Sequence, residues 1–291
     1  MTDEIAILTQ EDQLYPDILR TISKPPKQLY YRGNIEVLSE PNLLAVVGSR
    51  KASMYGRQAC AKLLPPLARA GIVLVSGMAY GIDSFVHRVA VEAMRPTIAV
   101  LGSGVDDASL YPRGNKTLAH EILAAGGLII SEYEPGTKPF LGHFPARNRI
   151  ISGLCKATLL IQAAKRSGSL ITSRLALEEG RDVLAVPGPI TDPSSEGTNL
   201  LIQDGAAPVL TSADILSLFE LEEGKQEDIT HTALRPELQG VVSVLSASPL
   251  YIDDIAQAAN ISVPEASAAL AELEMIGIIV NNGGMRYTKE I

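Results

Sequence analysis

The segment Phe144-Pro-Ala-Arg147-Asn148-Arg149-Ile-Ile-Ser-Gly153 sets an aromatic ring beside two guanidinium groups. Arginine is costly within a packed layer unless something anionic meets it there. An aromatic face next to forked donors suits a single-stranded nucleic acid: the ring stacks a base and the guanidinium groups hold phosphate. Asn148, between the arginines, belongs to the same candidate site. A structural reading also stands, in which both arginines pair with local carboxylates and Phe144 is core.

Further candidate chemistry sits on glycine-bearing loops. Gly48-Ser49-Arg50 follows one apolar run and precedes a helical one. A glycine there lets backbone N–H groups approach a phosphate, and a helix N-terminus favours an anion. Gly77, in Ser76-Gly77-Met-Ala-Tyr80-Gly81-Ile-Asp83, opens a second loop, and Gly102-Ser-Gly104 a third. Lys165-Arg166-Ser167-Gly168-Ser169 offers cations, hydroxyls and a glycine ahead of a helix, which makes an anion cradle. Taken singly, each admits a plainer role as a tight turn or a solvated basic turn.

The same survey is poor in bond-breaking chemistry. Asp83 stands where a helix-capping acid would, and His87 lies four residues on, but no serine or cysteine nucleophile is placed to join them. The four histidines lack ligand spacing, so no metal or other cofactor is expected. Neither G-x-G-x-x-G nor a Walker A loop occurs. The pattern points to holding phosphates, not to an enzyme.

These loops need a scaffold, and the hydrophobic pattern supplies one. Mostly apolar β-rich runs at 43–47, 72–75, 97–101, 128–131, 157–161 and 182–186 alternate with helix-like stretches at 55–70, 83–94, 116–125 and 169–179. Apolar strands alternating with helices predict an α/β fold: a doubly wound, mostly parallel sheet with right-handed crossovers. Ligands of such sheets bind beyond the carboxyl ends of the strands, where the glycine loops fall.

The expected organisation is a short appendage (1–40), a sheet domain (41–218), an acidic linker (219–236) and a small C-terminal domain (237–291). In the last, helices at 238–245, 252–259 and 264–276 precede a hairpin at 278–287, the pattern of a winged helix. The net charge of −8 is segregated: residues 41–174 carry 16 basic against 7 acidic side chains, and residues 175–291 carry 5 against 19. A polyanion can therefore bind locally to an acidic chain. The two cysteines read as core residues of a cytoplasmic protein, and no apolar run is long enough to span a membrane.

In order, VVGSRKASMYG, VSGMAYGIDSFVH, IAVLGSGVD, YPRGN, ISEYEPG, FPARNRIISGL, KRSGSLIT and AVPG…EGTNLLIQDGA resemble the DNA-processing protein DprA (Smf) family over roughly residues 14–218. The resemblance implies an extended Rossmann-like fold that binds single-stranded DNA. It also implies a homodimer that protects incoming strands in natural transformation and loads the RecA recombinase, with no enzymatic activity. Arg50 would contact the phosphate backbone, Phe144 would stack a base, and Arg147, Arg149 and Ser167–Ser169 would line the same pocket. Tyr80 and Leu141 stand where some relatives carry cations, and Gln162 where a Glu is frequent.

The third C-terminal helix carries three acids and no base, and residues 235–291 hold 3 basic against 7 acidic side chains. Phosphate contacts dominate affinity for duplex DNA, so this surface should repel a duplex and serve protein contacts. The rival to single-strand binding is a Rossmann-like protein that binds or hydrolyses nucleotides, for which no catalytic acid aimed at a glycosidic bond is evident.

Overall fold

A computed structural model describes residues 4–222, 236–245, 249–275 and 278–289. The chain divides into two compact units at Gly224–Lys225. Residues 223–235, most of the expected acidic linker, lie outside the described set, as does Ile276 at the end of the third predicted C-terminal helix.

The first unit is built on a nine-stranded sheet of order β1-β2-β6-β5-β4-β3-β7-β8-β9. Its strands are β1 (Ala6–Thr9), β2 (Gln28–Gly33), β3 (Leu43–Val47), β4 (Val73–Ser76), β5 (Thr97–Leu101), β6 (Leu128–Ser131), β7 (Ala157–Leu160), β8 (Asp182–Ala185) and β9 (Ala207–Pro208). The helices are α1 (Asp17–Arg20), α2 (Met54–Arg69), α3 (Ile82–Glu92), α4 (Lys116–Ala124), α5 (His143–Gly153), α6 (Ser169–Glu178), α7 (Glu196–Gln203) and α8 (Ser212–Leu218). From β6 through β9 every neighbouring pair is parallel, and β1 and β2 extend the sheet antiparallel.

Strands β3 to β7 are buried along their whole length because both faces are covered. Leu43, Ala45 and Val47 point to one face, where Ile150 and Ile151 of α5, Leu154 just after it, Ala176 of α6 and Leu19 of α1 pack. Leu44 and Val46 point to the other, against Leu63, Leu64 and Leu67 of α2 and Ile82 and Val86 of α3. This is the doubly wound arrangement that the alternating apolar runs predict.

The opening forty residues, expected as an appendage, supply β1 and β2. Strand β2 pairs with β6 (Tyr30 opposite Ser131), and Arg32 donates to the Val105 carbonyl at 3.1 Å and to Asp107 at 2.8 Å. They thus belong to the same compact unit as the rest of the sheet.

The strand order fixes where a ligand can sit. After β3 the chain builds β4, β5 and β6 outward on one side; it then crosses back to lay β7 on the other side of β3. The loops leaving β3 and β7 therefore diverge and open a crevice at the carboxyl edge, the usual ligand position in such sheets.

The second unit holds α9 (Pro236–Val244), β10 (Leu250–Tyr251), α10 (Ile252–Ala259), α11 (Val263–Met275), β11 (Ile279–Asn281) and β12 (Arg286–Lys289), with sheet order β10-β12-β11. Val241, Ile255, Leu270 and Leu273 form its core. Asn260, at φ 55°, ends α10, and Ser262 and Glu265 form a reciprocal cap on α11. Three helices and a small antiparallel sheet make the expected winged helix. Among the described residues, no helix is long and apolar enough to cross a membrane.

Candidate nucleic-acid interface

At the crevice between β3 and β7 lies a cavity of about 580 Å³. Its walls come from four segments: 47–51 after β3, Ala79 and Asp83 after β4, Leu141 to Ile151 on and before α5, and Ala164 to Thr172 leading into α6.

The loop after β3 is held in place by its neighbours. The Ser49 N–H donates to the Gln162 carbonyl at 2.7 Å, and the Ile82 N–H to the Ser49 carbonyl at 3.1 Å. The buried Gln162 amide donates to Ser53 Oγ at 2.7 Å and Ser194 Oγ at 2.6 Å, and accepts from the Ser53 N–H at 3.0 Å. Gly48 is required by close approach: a Cβ there would lie 2.7 Å from Ile82 Cγ1 and 3.0 Å from the Gln162 carbonyl. The neutral amide at 162 is thus a clamp on the loop that carries Ser49 and Arg50.

Arg50 is exposed at the mouth, its guanidinium 5.4 Å from the centroid of the Phe144 ring. Phe144, half-buried in the first turn of α5, also meets Tyr111 at 5.6 Å between centroids. On the opposite wall Ser167 Oγ and Ser169 Oγ share a hydrogen bond at 2.8 Å, and Gly168 faces open space. Asn148 completes the lining, so Gly48, Ser49, Arg50, Phe144, Asn148, Ser167, Gly168 and Ser169 converge on one cavity.

Arg147 also touches the cavity, from below. It is 4% exposed, and its Nη1 donates to the Gly77 carbonyl at 2.7 Å and to the Val100 carbonyl. Burial lowers its pKa to about 10, and Asp83 opposes the shift. Asp83 is itself buried. Burial raises its pKa above the usual range, opposed by Arg147, the Ala79 N–H and Arg50. Gly77 does not line the cavity; a Cβ there would come within 2.5 Å of the Arg147 guanidinium. Arg149 turns away and grips Glu132, with its Nη2 2.6 Å from both carboxylate oxygens. Lys165 is exposed and pairs with Glu196 at 3.4 Å, outside the cavity wall. The geometry thus gives Arg147 and Arg149 bracing positions: carbonyls at the ends of β4 and β5 hold the first, and a carboxylate holds the second.

Arg166, one of the cations expected in the anion cradle, lines the cavity, as does Lys51, which the sequence alone did not single out. Lys51 directly follows Arg50, and that adjacency is the available signal. Leu141 lines the rim. Asp83 and His87 form no catalytic pair: His87 is fully buried, and its Nδ1 meets Thr97 Oγ1 at 2.9 Å. Among the described residues, no three His, Cys, Asp or Glu side chains gather to hold a metal ion.

The family model for DNA recombination-mediator protein A matches residues 6–220, and that for the DprA winged helix domain matches residues 228–285. The chain is 46% identical over 209 residues to the DNA processing protein DprA of Streptococcus pneumoniae, covering 72% of each. It is 37% identical over 281 residues to the protein Smf of Escherichia coli, covering 94% of this chain and 74% of that one. The crystal structure of the pneumococcal protein superposes with a TM-score of 0.69 at 43% identity, covering 75% of each chain. A structure of DNA processing protein A from Helicobacter pylori, described for its single-stranded DNA binding mode, superposes at 0.67 with 31% identity, covering 76% of this chain and all of that one.

Proposed function

The chain belongs to the DNA recombination-mediator protein A family, and from that premise we propose that it binds single-stranded DNA without regard to sequence. The carrying observation is the cavity at the β3–β7 crevice, where Arg50 sits over Phe144 and Lys51, Arg166 and the Ser167–Ser169 loop supply further phosphate donors. Phosphate takes the cations and hydroxyls, and a base takes the Phe144 ring.

In this reading the protein acts by holding strands, as a homodimer that protects incoming DNA and passes it to a RecA recombinase in natural transformation. The family's role as a recombination mediator supports the hand-over. The exposed apolar side chains Ile190 and Leu210 support self-association. The second unit serves protein contacts, since α11 carries Glu265, Glu272 and Glu274 and no base.

A salt series of binding to single strands of several lengths tests the reading. Log K falls linearly with log salt, by about 0.7 per phosphate neutralised. A salt-insensitive interaction, tighter for a mononucleotide than for an oligomer, would replace it with the nucleotide-handling alternative.

A further inference from the structure

The aromatic surface does not end at Phe144. Tyr111, 44% exposed, stands 5.6 Å from it with the two rings tilted by 42°. Tyr80, 52% exposed, lies on the loop after β4, and its hydroxyl crosses close over Gly114: a Cβ there would sit 2.8 Å from it. Arg113, between Tyr111 and Gly114, is exposed.

These groups sit on two loops joined by a buried side chain. Asn115 Nδ2 donates to the Met78 carbonyl at 2.8 Å and to Ser84 Oγ at 3.0 Å. The loop bearing Tyr111 and Arg113 is thereby fixed to the loop bearing Tyr80. A polar side chain buried between two loops and bonded to both sets their relative position. Three aromatic rings and a cation thus continue outward from the cavity mouth on a fixed surface, the composition of a sequence-tolerant strand path.

We infer that Tyr111 is a second base-stacking platform on the single-strand route, next to Phe144, and that Tyr80 and Arg113 carry the strand onward. This rests on the single-strand reading above and adds to it a direction for the strand outside the cavity. Tyr111 takes a base by its face, Arg113 a phosphate, and Tyr80 the following base. The cavity holds only the first nucleotides, and longer strands gain affinity through the tyrosines.

Fluorescence anisotropy with thymidine strands of about four and about twelve nucleotides tests the inference. Tyr111→Ala lowers affinity for the longer strand by roughly 5- to 100-fold and for the shorter one much less, with the salt slope unchanged. Tyr111→Phe binds like the unsubstituted protein. The sequence contains no tryptophan, so Tyr111→Trp provides a lone indole whose emission is quenched when a base stacks on it. Unchanged affinity of Tyr111→Ala for the longer strand, or an indole indifferent to saturating strand, overturns the inference while the cavity reading stands. Failure of the unsubstituted protein to bind either strand overturns both.

Discussion

The guanidinium of Arg50 lies 5.4 Å from the centre of the Phe144 ring, joining the loop after β3 to the first turn of α5. A cation at that distance is attracted by the ring's quadrupole, by about 0.5–1 kcal/mol at an exposed site. It also sets a phosphate donor beside a base platform. In a double-mutant cycle on single-strand affinity, Arg50→Ala and Phe144→Ala should depart from additivity by about 0.5 kcal/mol or more. Additive losses would mean that the two side chains act independently in the complex.

The single substitutions should separate charge from stacking. Arg50→Ala flattens the dependence of log K on log salt by about 0.7, one phosphate's worth on a single strand. Phe144→Ala removes about 1–3 kcal/mol of binding at every salt concentration and leaves the slope alone. Titrations at four or five ionic strengths distinguish the two patterns.

Arg147 should behave as a structural residue despite its charge. Removing it strips a partner from the Gly77 and Val100 carbonyls. A buried acceptor left without its partner costs about 1–3 kcal/mol, so Arg147→Ala should show a clear loss in urea unfolding. Gly77→Ala should destabilise through the same group, because the new Cβ meets a guanidinium fixed by its carbonyls. A stable Arg147→Ala variant with a reduced salt slope would instead make Arg147 a direct phosphate ligand.

His87 gives the fold a defined weakness to acid. Burial, with a smaller contribution from Arg147, depresses its pKa to about 3. The unfolded chain takes up a proton near pH 6.5, and the folded chain does not. The native state therefore keeps this stability above about pH 6.5 and loses it as the pH falls toward 3. The slope for this group approaches about 1.4 kcal/mol per pH unit. Replacing His87 with the non-titrating Gln should reduce the slope of unfolding free energy against pH over that window by up to one proton. An unchanged slope would show that His87 protonates in the folded state.

The central sheet was legible because its strands announce themselves. Leu43–Val47 and Thr97–Leu101 are buried at every position, and a run apolar on both faces suits a covered parallel strand. Strands β1 and β2 were not legible: Gln28–Gly33 mixes exposed and buried positions, and its place depends on pairing with β6 about a hundred residues later. In the site, the loops bearing Gly48 and Gly168 line the cavity and Gly77, Gly102 and Gly104 do not, while residue type alone did not show that Arg147 reaches it from the buried side. The spacing held the correction: Ile150, Ile151 and Leu154, at three, four and seven residues on, put Arg147 on the buried face of α5. Arg149 could not be assigned in the same way, because Glu132, its partner, comes from the end of another strand.

The clamp between Ser53 and Gln162 spans 109 residues of chain. A ribosome that has released β3 through β6 has made the loop bearing Ser49 and Arg50, but not the strand that holds it. The cavity therefore cannot be completed during synthesis until β7 and Gln162 have emerged. A nascent or truncated chain ending before β7 would carry most of the basic side chains and no seat for a strand.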